Sequence, residues 1–539
     1  MTFKILRRKI QVLLKLTKSA VQKEPLLAFL IIGSLILAIF FRTYDYLERI
    51  YIHSDHSLFL QGAIFANRNL QFAQIGPFAQ APFFTGPWWL FILTVFFFIP
   101  FGVLTPWFVM TFLSLIFLYL FWWVGKEIGG KWVGAISVFL AAISPALIDN
   151  SFSVWNAAAD SFLGILALFF AIRFSRYQKT IDIFLLGFIV SLAVTIHFQT
   201  FLLTPIIAVA LLSAKIKIKN LIAVGAGFII PLLPYLFFDL RFNWFWIRSV
   251  YIYLTVDRFS YWVPNRWLTY AFDFWPETWA GIVGGVAWIG LLIIGLLSGL
   301  TVLKLTKFKE NKNFYLAAIS FALSVLIFRY WTGERFVYFT NWAQPIVIIL
   351  TAWVLVQIYQ FNKLPRAKSP RYCASSLHER AEYHDSEVCI RFRIHPWTHS
   401  PRYSVSEYKI VGAILGLVVF AGTFSQSIKT LNAREITYAK ITTVKDEIYQ
   451  KYPGSEFDIW GCLYNGALVS HPISYFMYFD RRSDTVGLKI GVCYLVDKSI
   501  DWHELTAADV QQENSPWLNH STGNIYHTMV EWWQDKPPK

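Results

Sequence analysis

Charge is scarce in this 539-residue chain: Asp, Glu, Lys and Arg make up only 15% of it, against roughly a quarter in soluble globular proteins. With 56% hydrophobic residues, that scarcity excludes an ordinary soluble enzyme and an intrinsically disordered chain. Cysteine is nearly missing as well, and four in this length cannot form the framework of a disulfide-stapled secreted module. Internal repeats are not visible. No ladder of ionisable residues runs through the middle of the apolar segments, as a transporter with a midplane site would require. What the chain does have is apolar and aromatic: mean hydropathy +0.47, with 23 Trp, 26 Tyr and 50 Phe. Large rings in this number suit a protein that meets the bilayer interface many times.

Apolar segments recur at 25–42, 105–125, 131–148, 157–173, 183–198, 200–214, 219–238, 279–303, 313–331, 340–360 and 409–427, each near the length a membrane crossing needs. The first has a basic N-terminal flank (Lys4, Arg7, Arg8, Lys9, Lys15, Lys18, Lys23) and no cleavage site after it, so a retained helix with its N-terminus inside is expected. A further apolar stretch, 84–100, is bounded by Pro82, Pro87 and Pro100. If it crossed, Lys126, the lysines around 215–219 and those around 304–312 would face outward, against the positive-inside rule. It is therefore read as a partly inserted or surface-lying helix of the first external loop.

The expected fold is an all-α polytopic membrane protein of about 11 transmembrane helices, N-terminus inside and C-terminus outside, with a small α/β extracytoplasmic C-terminal domain. In order, the chain divides into a cytoplasmic basic N-terminus (1–24), a transmembrane core (25–360) with external loops 43–104 and 239–278, a cytoplasmic polar insert (361–408), a last transmembrane helix (409–427) and the tail domain (428–539). Within the tail, Phe457–Leu463 and Ile490–Val496 read as strands and Lys440–Tyr452 as a helix. On this topology the formal net charge of +15 falls on the inner segments, which makes it a topology signal and argues against nucleic-acid binding. The insert holds Cys373, His378, His384, Cys389, His395 and His399. It has no tight Cys-x-x-Cys pair, so a solvated loop is the better reading than a zinc site.

Polar residues gather at the outer ends of the spans, where burial is costly. Asp55, in His53-Ser54-Asp55-His56, is either a helix-capping or solvated carboxylate, or a general base or metal ligand. Asp149-Asn150 and Trp155-Asn156 lie in the next external loop, with Asp160 just inside the following helix. A Trp beside an Asn can stack on a sugar and hydrogen-bond its hydroxyl, or simply mark the interface and cap a helix. His197 sits at an outer turn, as a catalyst or a capped, satisfied side chain. Asp239 with Arg241, and Glu334 with Arg335, can pair with one another, or the arginines can grip a lipid phosphate. Polar residues on one face suit an enzyme acting on a lipid-borne substrate.

Taken in order, these residues resemble the polytopic GT-C glycosyltransferases, in the bacterial branch related to protein O-mannosyltransferases and lipid A aminoarabinose transferases. The resemblance runs over about residues 20–360. It rests on Asp55, Ile75-Gly76-Pro77 with Thr85-Gly86-Pro87-Trp88-Trp89, Ser144-Pro145, Ser153-Val154-Trp155-Asn156, His197, Phe238-Asp239-Leu240-Arg241-Phe242-Asn243, and Glu334-Arg335-Phe336 with Pro345. It departs from that branch where histidines flank Asp55 in place of a second carboxylate, where Ala157 follows the Trp-Asn pair, and in the 361–408 insert.

The resemblance implies transfer of a sugar, with inversion, from a polyprenyl-phosphate donor to a glycan, lipid or protein acceptor at the outer face of the cytoplasmic (inner) membrane. Asp55 would be the base. Arg241 and Arg335 would stabilise the leaving phosphate, and Trp155, Asn156 and His197 would shape the sugar pocket, with Asp239 and Glu334 beside them. Some relatives use a divalent metal; Asp149 or Asp160 would then supply a second carboxylate. A flippase or transporter of a lipid-linked glycan is the alternative. In the tail, Cys462 and Cys493 fall in the two strand candidates, outside on this topology, where a disulfide between them is expected.

Overall fold

The structure, a computed structural model, describes residues 22–70, 75–76, 84–214, 216–255, 266–304, 310–330, 335–360, 405–432, 436–462, 467–482, 488–495, 499–506, 508–509 and 517–519. Glu334 and the polar part of the insert lie outside these residues.

The chain is a helical bundle followed by a small sheet. Helix α1 (Pro25–Thr43) is followed by α2 (Ser54–Asn69) and α3 (Trp88–Phe96), then by α4 (Thr105–Ile116) and α5 (Leu118–Gly129), which run on as one apolar rod. Next come α6 (Lys131–Ile143), α7 (Pro145–Ser151), α8 (Asp160–Tyr177), α9 (Thr180–Ile196), α10 (Thr204–Leu212), α11 (Ile218–Arg241) and α12 (Phe245–Thr255). The bundle closes with α13 (Trp275–Ile282), α14 (Ala287–Leu303), α15 (Lys312–Phe328), α16 (Gln344–Gln360) and α17 (Val405–Lys429).

Among the described residues, six helical stretches are long and apolar enough to cross a membrane, two more are bent pairs, and three shorter apolar helices lie among them. Each apolar segment of the sequence falls on one of these elements. Large apolar side chains point outward from them, among them Phe29, Ile36, Phe112 and Ile222, as helices in lipid require. Helix α3 has only nine residues, less than half the length of a span. It is packed inward through Trp89, Leu90 and Leu93.

Two segments read as continuous spans are in fact broken. Pro145 has no amide hydrogen and holds Ser144 extended (φ −66°, ψ 118°), so α6 and α7 meet at a 60° bend. At the second break Gly284 and Gly285 take φ of +102° and +79°, and the stretch ending in α13 meets α14 at 100°. Broken helices leave carbonyls and amides that lipid cannot satisfy. Here side chains do so. Arg42, buried in α1, donates to Ala141 O at 3.1 Å and Ala142 O at 2.9 Å, and the Ser427 hydroxyl donates to Ile143 O. Gly284 N–H donates to Thr423 Oγ1 at 2.8 Å, and Gln426 Nε2 donates to Gly285 O at 3.0 Å. Ser144 Oγ joins the breaks by donating to Ile282 O at 3.0 Å. Thr423, Gln426 and Ser427 share one face of α17, so the last helix clasps both breaks. A Cβ on Gly285 would sit 2.5 Å from Gly422 O, which explains the glycine.

The tail contains α18 (Tyr438–Lys451), β1 (Phe457–Cys462), α19 (Ala467–Phe479), β2 (Leu488–Tyr494), β3 (Ile500–Glu504) and β4 (Trp517–Asn519). The sheet order is β3-β2-β1-β4, with β1 and β2 parallel and the outer pairs antiparallel. Ile441, Val444 and Ile448 of α18 pack with Phe457, Ile459, Ile490 and Val492 of the central strands. The expected Cys462–Cys493 disulfide is absent: both are free thiols. The parallel register runs from Phe457↔Leu488 to Gly461↔Val492, which makes these two cysteines the next cross-strand neighbours. Side chains so placed leave the sheet side by side, a geometry unsuited to the disulfide dihedral. Burial first, then the neighbouring Cys462 thiol, pushes Cys493 up to about 12.

The tail and the first loop share one end of the bundle. Tyr51 bridges Thr437, Tyr438 N–H donates to Ile50 O at 3.2 Å, and Arg68 donates to Tyr478 O at 2.9 Å. At the other end the basic connections meet each other: Lys131 pairs with Glu24 at 2.6 Å, Arg176 with Glu127, and Lys312 reaches Ser175 O at 3.3 Å.

Candidate active site

A cavity of about 920 Å³ opens at the tail end of the bundle. Its walls come from Tyr51 and His53 before α2, from Asp149 and Asn150 on α7, and from Ser153 and Trp155 after it. The turn 336–341, Gln344 at the start of α16, and Gln426, Lys429 and Thr430 at the end of α17 complete them. The breaks locate this cavity. Bending at Ser144 carries α7 aside, and bending at Gly284-Gly285 brings Gly281 of α13 to the wall.

One side of the cavity is a chain of amides. Asn150 Nδ2 donates to Gln344 Oε1 at 3.0 Å, Gln344 Nε2 donates to Asn341 Oδ1 at 2.7 Å, and Asn341 Nδ2 donates to Ala157 O at 3.0 Å. All three side chains are buried, so their orientations are fixed by one another. Another side is aromatic. The rings of Trp155 and Tyr338 lie 4.8 Å apart, and Phe336 stacks on Tyr338 at 5.4 Å. Fixed amides beside flat rings can hydrogen-bond hydroxyls while stacking on the apolar face of a sugar ring.

Two histidines support this wall at the start of α2. His53 is the N-cap: its Nδ1 accepts the Asp55 N–H at 3.1 Å, and its own N–H reaches His56 Nδ1 at 3.4 Å. Both Nδ1 atoms are thus acceptors, which puts the ring hydrogen of each neutral imidazole on Nε2. In His56 that atom lies 2.8 Å from Ser153 Oγ. Burial holds both imidazoles below the usual histidine range; in His56 the adjacent His53 adds to it, while in His53 the Asp55 carboxylate opposes it.

The residues singled out from sequence separate into two groups. Asp149 and Trp155 line the cavity. Asp55 stands beside it, exposed on the first turn of α2, with its carboxylate 4.0 Å from His53 Nδ1. Of the others that the structure describes, none is among the cavity-lining residues. Asn156 donates from Nδ2 to Ile196 O at 2.9 Å and accepts from Ala157 N–H at 3.0 Å. His197 Nδ1 lies 2.5 Å from Asp160 Oδ2, and both are buried. Asp160 is thus buried against His197 and does not line the cavity. Asp239 accepts the N–H groups of Trp246 at 2.7 Å and Ile247 at 3.0 Å, capping α12. Arg241 is exposed beside the Phe242 ring, and Arg335 lies over the Tyr270 ring at 4.6 Å; neither lines the cavity. Among the described residues no three of His, Cys, Asp or Glu come together as a metal site.

Sequence reading missed Asn341, Gln344, Gln426 and Lys429. The first two lie just before Pro345 at the head of a buried apolar helix, a position that can be noticed. The last two close an apolar run beyond the insert and carry no local signal.

No family model matches the chain, and no curated protein matches it. Solved structures do. ArnT from Cupriavidus metallidurans bound to undecaprenyl phosphate superposes with a TM-score of 0.54 at 10% identity, over 87% of this chain and 93% of that one. The apo oligosaccharyltransferase of Archaeoglobus fulgidus gives 0.47 at 11% identity over 80% of this chain, which spans 59% of the length of that protein. AglB from the same organism, in complex with an inhibitory peptide and a dolichol-phosphate, gives 0.47 at 10% identity, over 91% of this chain and 75% of that one. The chain thus shares the fold of the ArnT structure, along most of the length of both.

Proposed function

We propose that this chain is a membrane glycosyltransferase that moves a sugar from a polyprenyl-phosphate donor to an acceptor nucleophile at the cavity. The observation that carries the reading is the wall of interlocked amides, Asn150, Gln344 and Asn341, facing the Trp155 and Tyr338 rings. The ArnT fold, seen elsewhere with undecaprenyl phosphate, supports a lipid-borne donor. The reaction is an in-line displacement. The acceptor oxygen or nitrogen forms a bond to the anomeric carbon as the bond from that carbon to the phosphate oxygen breaks, inverting the centre. The acceptor proton passes to Asp55, and the electron pair of the broken bond leaves on the polyprenyl phosphate. Asp55 suits the base because it is ionisable, accessible and fixed by its own N–H on His53. Trp155 stacks on the sugar, and the amides hold its hydroxyls. Both hexoses and pentoses fit this description, and the acceptor is a glycan, lipid or protein of the outer face of the inner membrane.

The test is a transfer assay in nanodiscs, with a panel of radiolabelled polyprenyl-phosphate sugars and host membrane extract, run with wild type and Asp55→Asn. Transfer by wild type that falls at least a hundredfold in the folded variant supports enzyme and base together. Equal transfer removes Asp55 from the mechanism. Donor movement across the bilayer without transfer overturns the enzyme reading in favour of a flippase.

A further inference from the structure

Among the described residues that line the cavity, Lys429 is the one lysine or arginine. It is the last residue of α17, and its ammonium makes no ion pair or hydrogen bond with any described residue. Lysines at the ends of membrane helices ordinarily extend to lipid headgroups or water; this one lines the cavity, and the residues on either side of it are held by hydrogen bonds. Gln426 and Ser427, on the turn before it, hold the two helix breaks. Thr430, the residue after it, donates from Oγ1 to Ser427 O at 2.6 Å, and its carbonyl accepts Arg49 Nε at 2.8 Å. Arg49 is itself buried over the Phe152 ring at 4.4 Å. A flexible cation on a rigid base, in a wall otherwise made of neutral amides, rings and the Asp149 carboxylate, is built to meet an anion.

We propose that Lys429 binds the phosphate of the lipid-borne donor. This rests on the glycosyltransferase reading above and assigns the anion subsite within it. Chemically the assignment fits the step. In the donor the phosphate is a diester with one negative charge; when the sugar–oxygen bond breaks, the electron pair stays on the phosphate and it becomes a monoester with a second. An ammonium at this position therefore gains attraction as the bond breaks, which lowers the barrier beyond what it contributes to binding. Arg241 and Arg335 stand outside the cavity, so they do not compete for this role. The sequence hid the residue, because Lys429 follows the insert and closes an apolar helix whose neighbours in space come from distant parts of the chain, among them Arg49, Ile143 and Gly285.

The experiment measures binding of undecaprenyl phosphate, undecaprenol and inorganic phosphate to the full chain in nanodiscs, for wild type, Lys429→Gln and Lys429→Arg. The expected result is that wild type prefers undecaprenyl phosphate to undecaprenol. Lys429→Gln loses about tenfold to a hundredfold in affinity for the phosphate alone, as expected for a lost charge-assisted bond. Lys429→Arg keeps most of it, and undecaprenol binds all three alike, which shows the variants folded. Undecaprenyl phosphate bound equally by wild type and Lys429→Gln overturns the assignment and leaves the donor reading standing. Inorganic phosphate bound as tightly as the lipid overturns the lipid source. Wild type that binds no polyprenyl phosphate overturns the donor reading and this inference with it.

Discussion

Two regions at the same end of the bundle carry the same kinds of residue and do opposite things with them. Around the cavity, Asn150, Asn341 and Gln344 are fixed by one another and line it together with Trp155. Around the turns at 156–160, 197 and 239–247, Asn156, Asp160, His197 and Asp239 bond only to protein: to backbone at Ile196, Ala157, Trp246 and Ile247, or to each other. Residue type and placement at a helix end do not separate a site from its scaffold. What separates them is where the side chains lie: the first group lines the cavity and the second does not.

The sharpest way to break the scaffold side is Asp160→Ala. It leaves the buried His197 ring without its 2.5 Å partner, and a stability loss of about 3 kcal/mol is expected. Thermal unfolding in detergent reads it. His197→Ala should cost less, and the double variant should fall well short of the sum, because the two act as one unit. On the cavity side, Trp155→Ala should lower transfer about tenfold, with unfolding changed by only about 1 kcal/mol, since the half-buried ring lines the cavity as well as packing against the core. A stability loss as large as that of Asp160→Ala would place Trp155 in the scaffold and dissolve the contrast.

The smallest effect separates the supports of the wall from both. Burial holds His56 well below its ordinary value of 6.5, so it stays neutral in the folded chain. A group with a depressed folded value contributes stability above the unfolded value and loses it as pH falls: below about 6.5 the unfolded chain takes up the proton first, and folding weakens. Unfolding temperature measured from pH 7.5 to 5.5 should drop across that window, and the drop should shrink in His56→Gln.

Much of the bundle was legible because apolar runs of span length have few other uses. Lys131, Arg176 and Lys312 meet acids and carbonyls of neighbouring segments at the end of the bundle away from the cavity. The strands at 457–462 and 488–494 were visible as apolar runs, whereas β3 and β4 were not, being short edge strands, β3 also largely polar. The breaks were harder. Ser144-Pro145 and Gly284-Gly285 stand plainly in the sequence, but hydropathy averages over them and reports one continuous span each.

By itself the sequence determined a helical core of span-length apolar segments, a small mixed tail, and polar residues concentrated at helix ends. Those features are set by composition and local order, and water and lipid enforce them on each segment separately. The tertiary structure decided which polar residues face space. Asn150 meets Gln344 across 194 positions, and Ser427 satisfies Ile143 across 284. Such pairings arise from how bent helices stack, and each fixes the orientation of a side chain that the local sequence leaves free to turn either way.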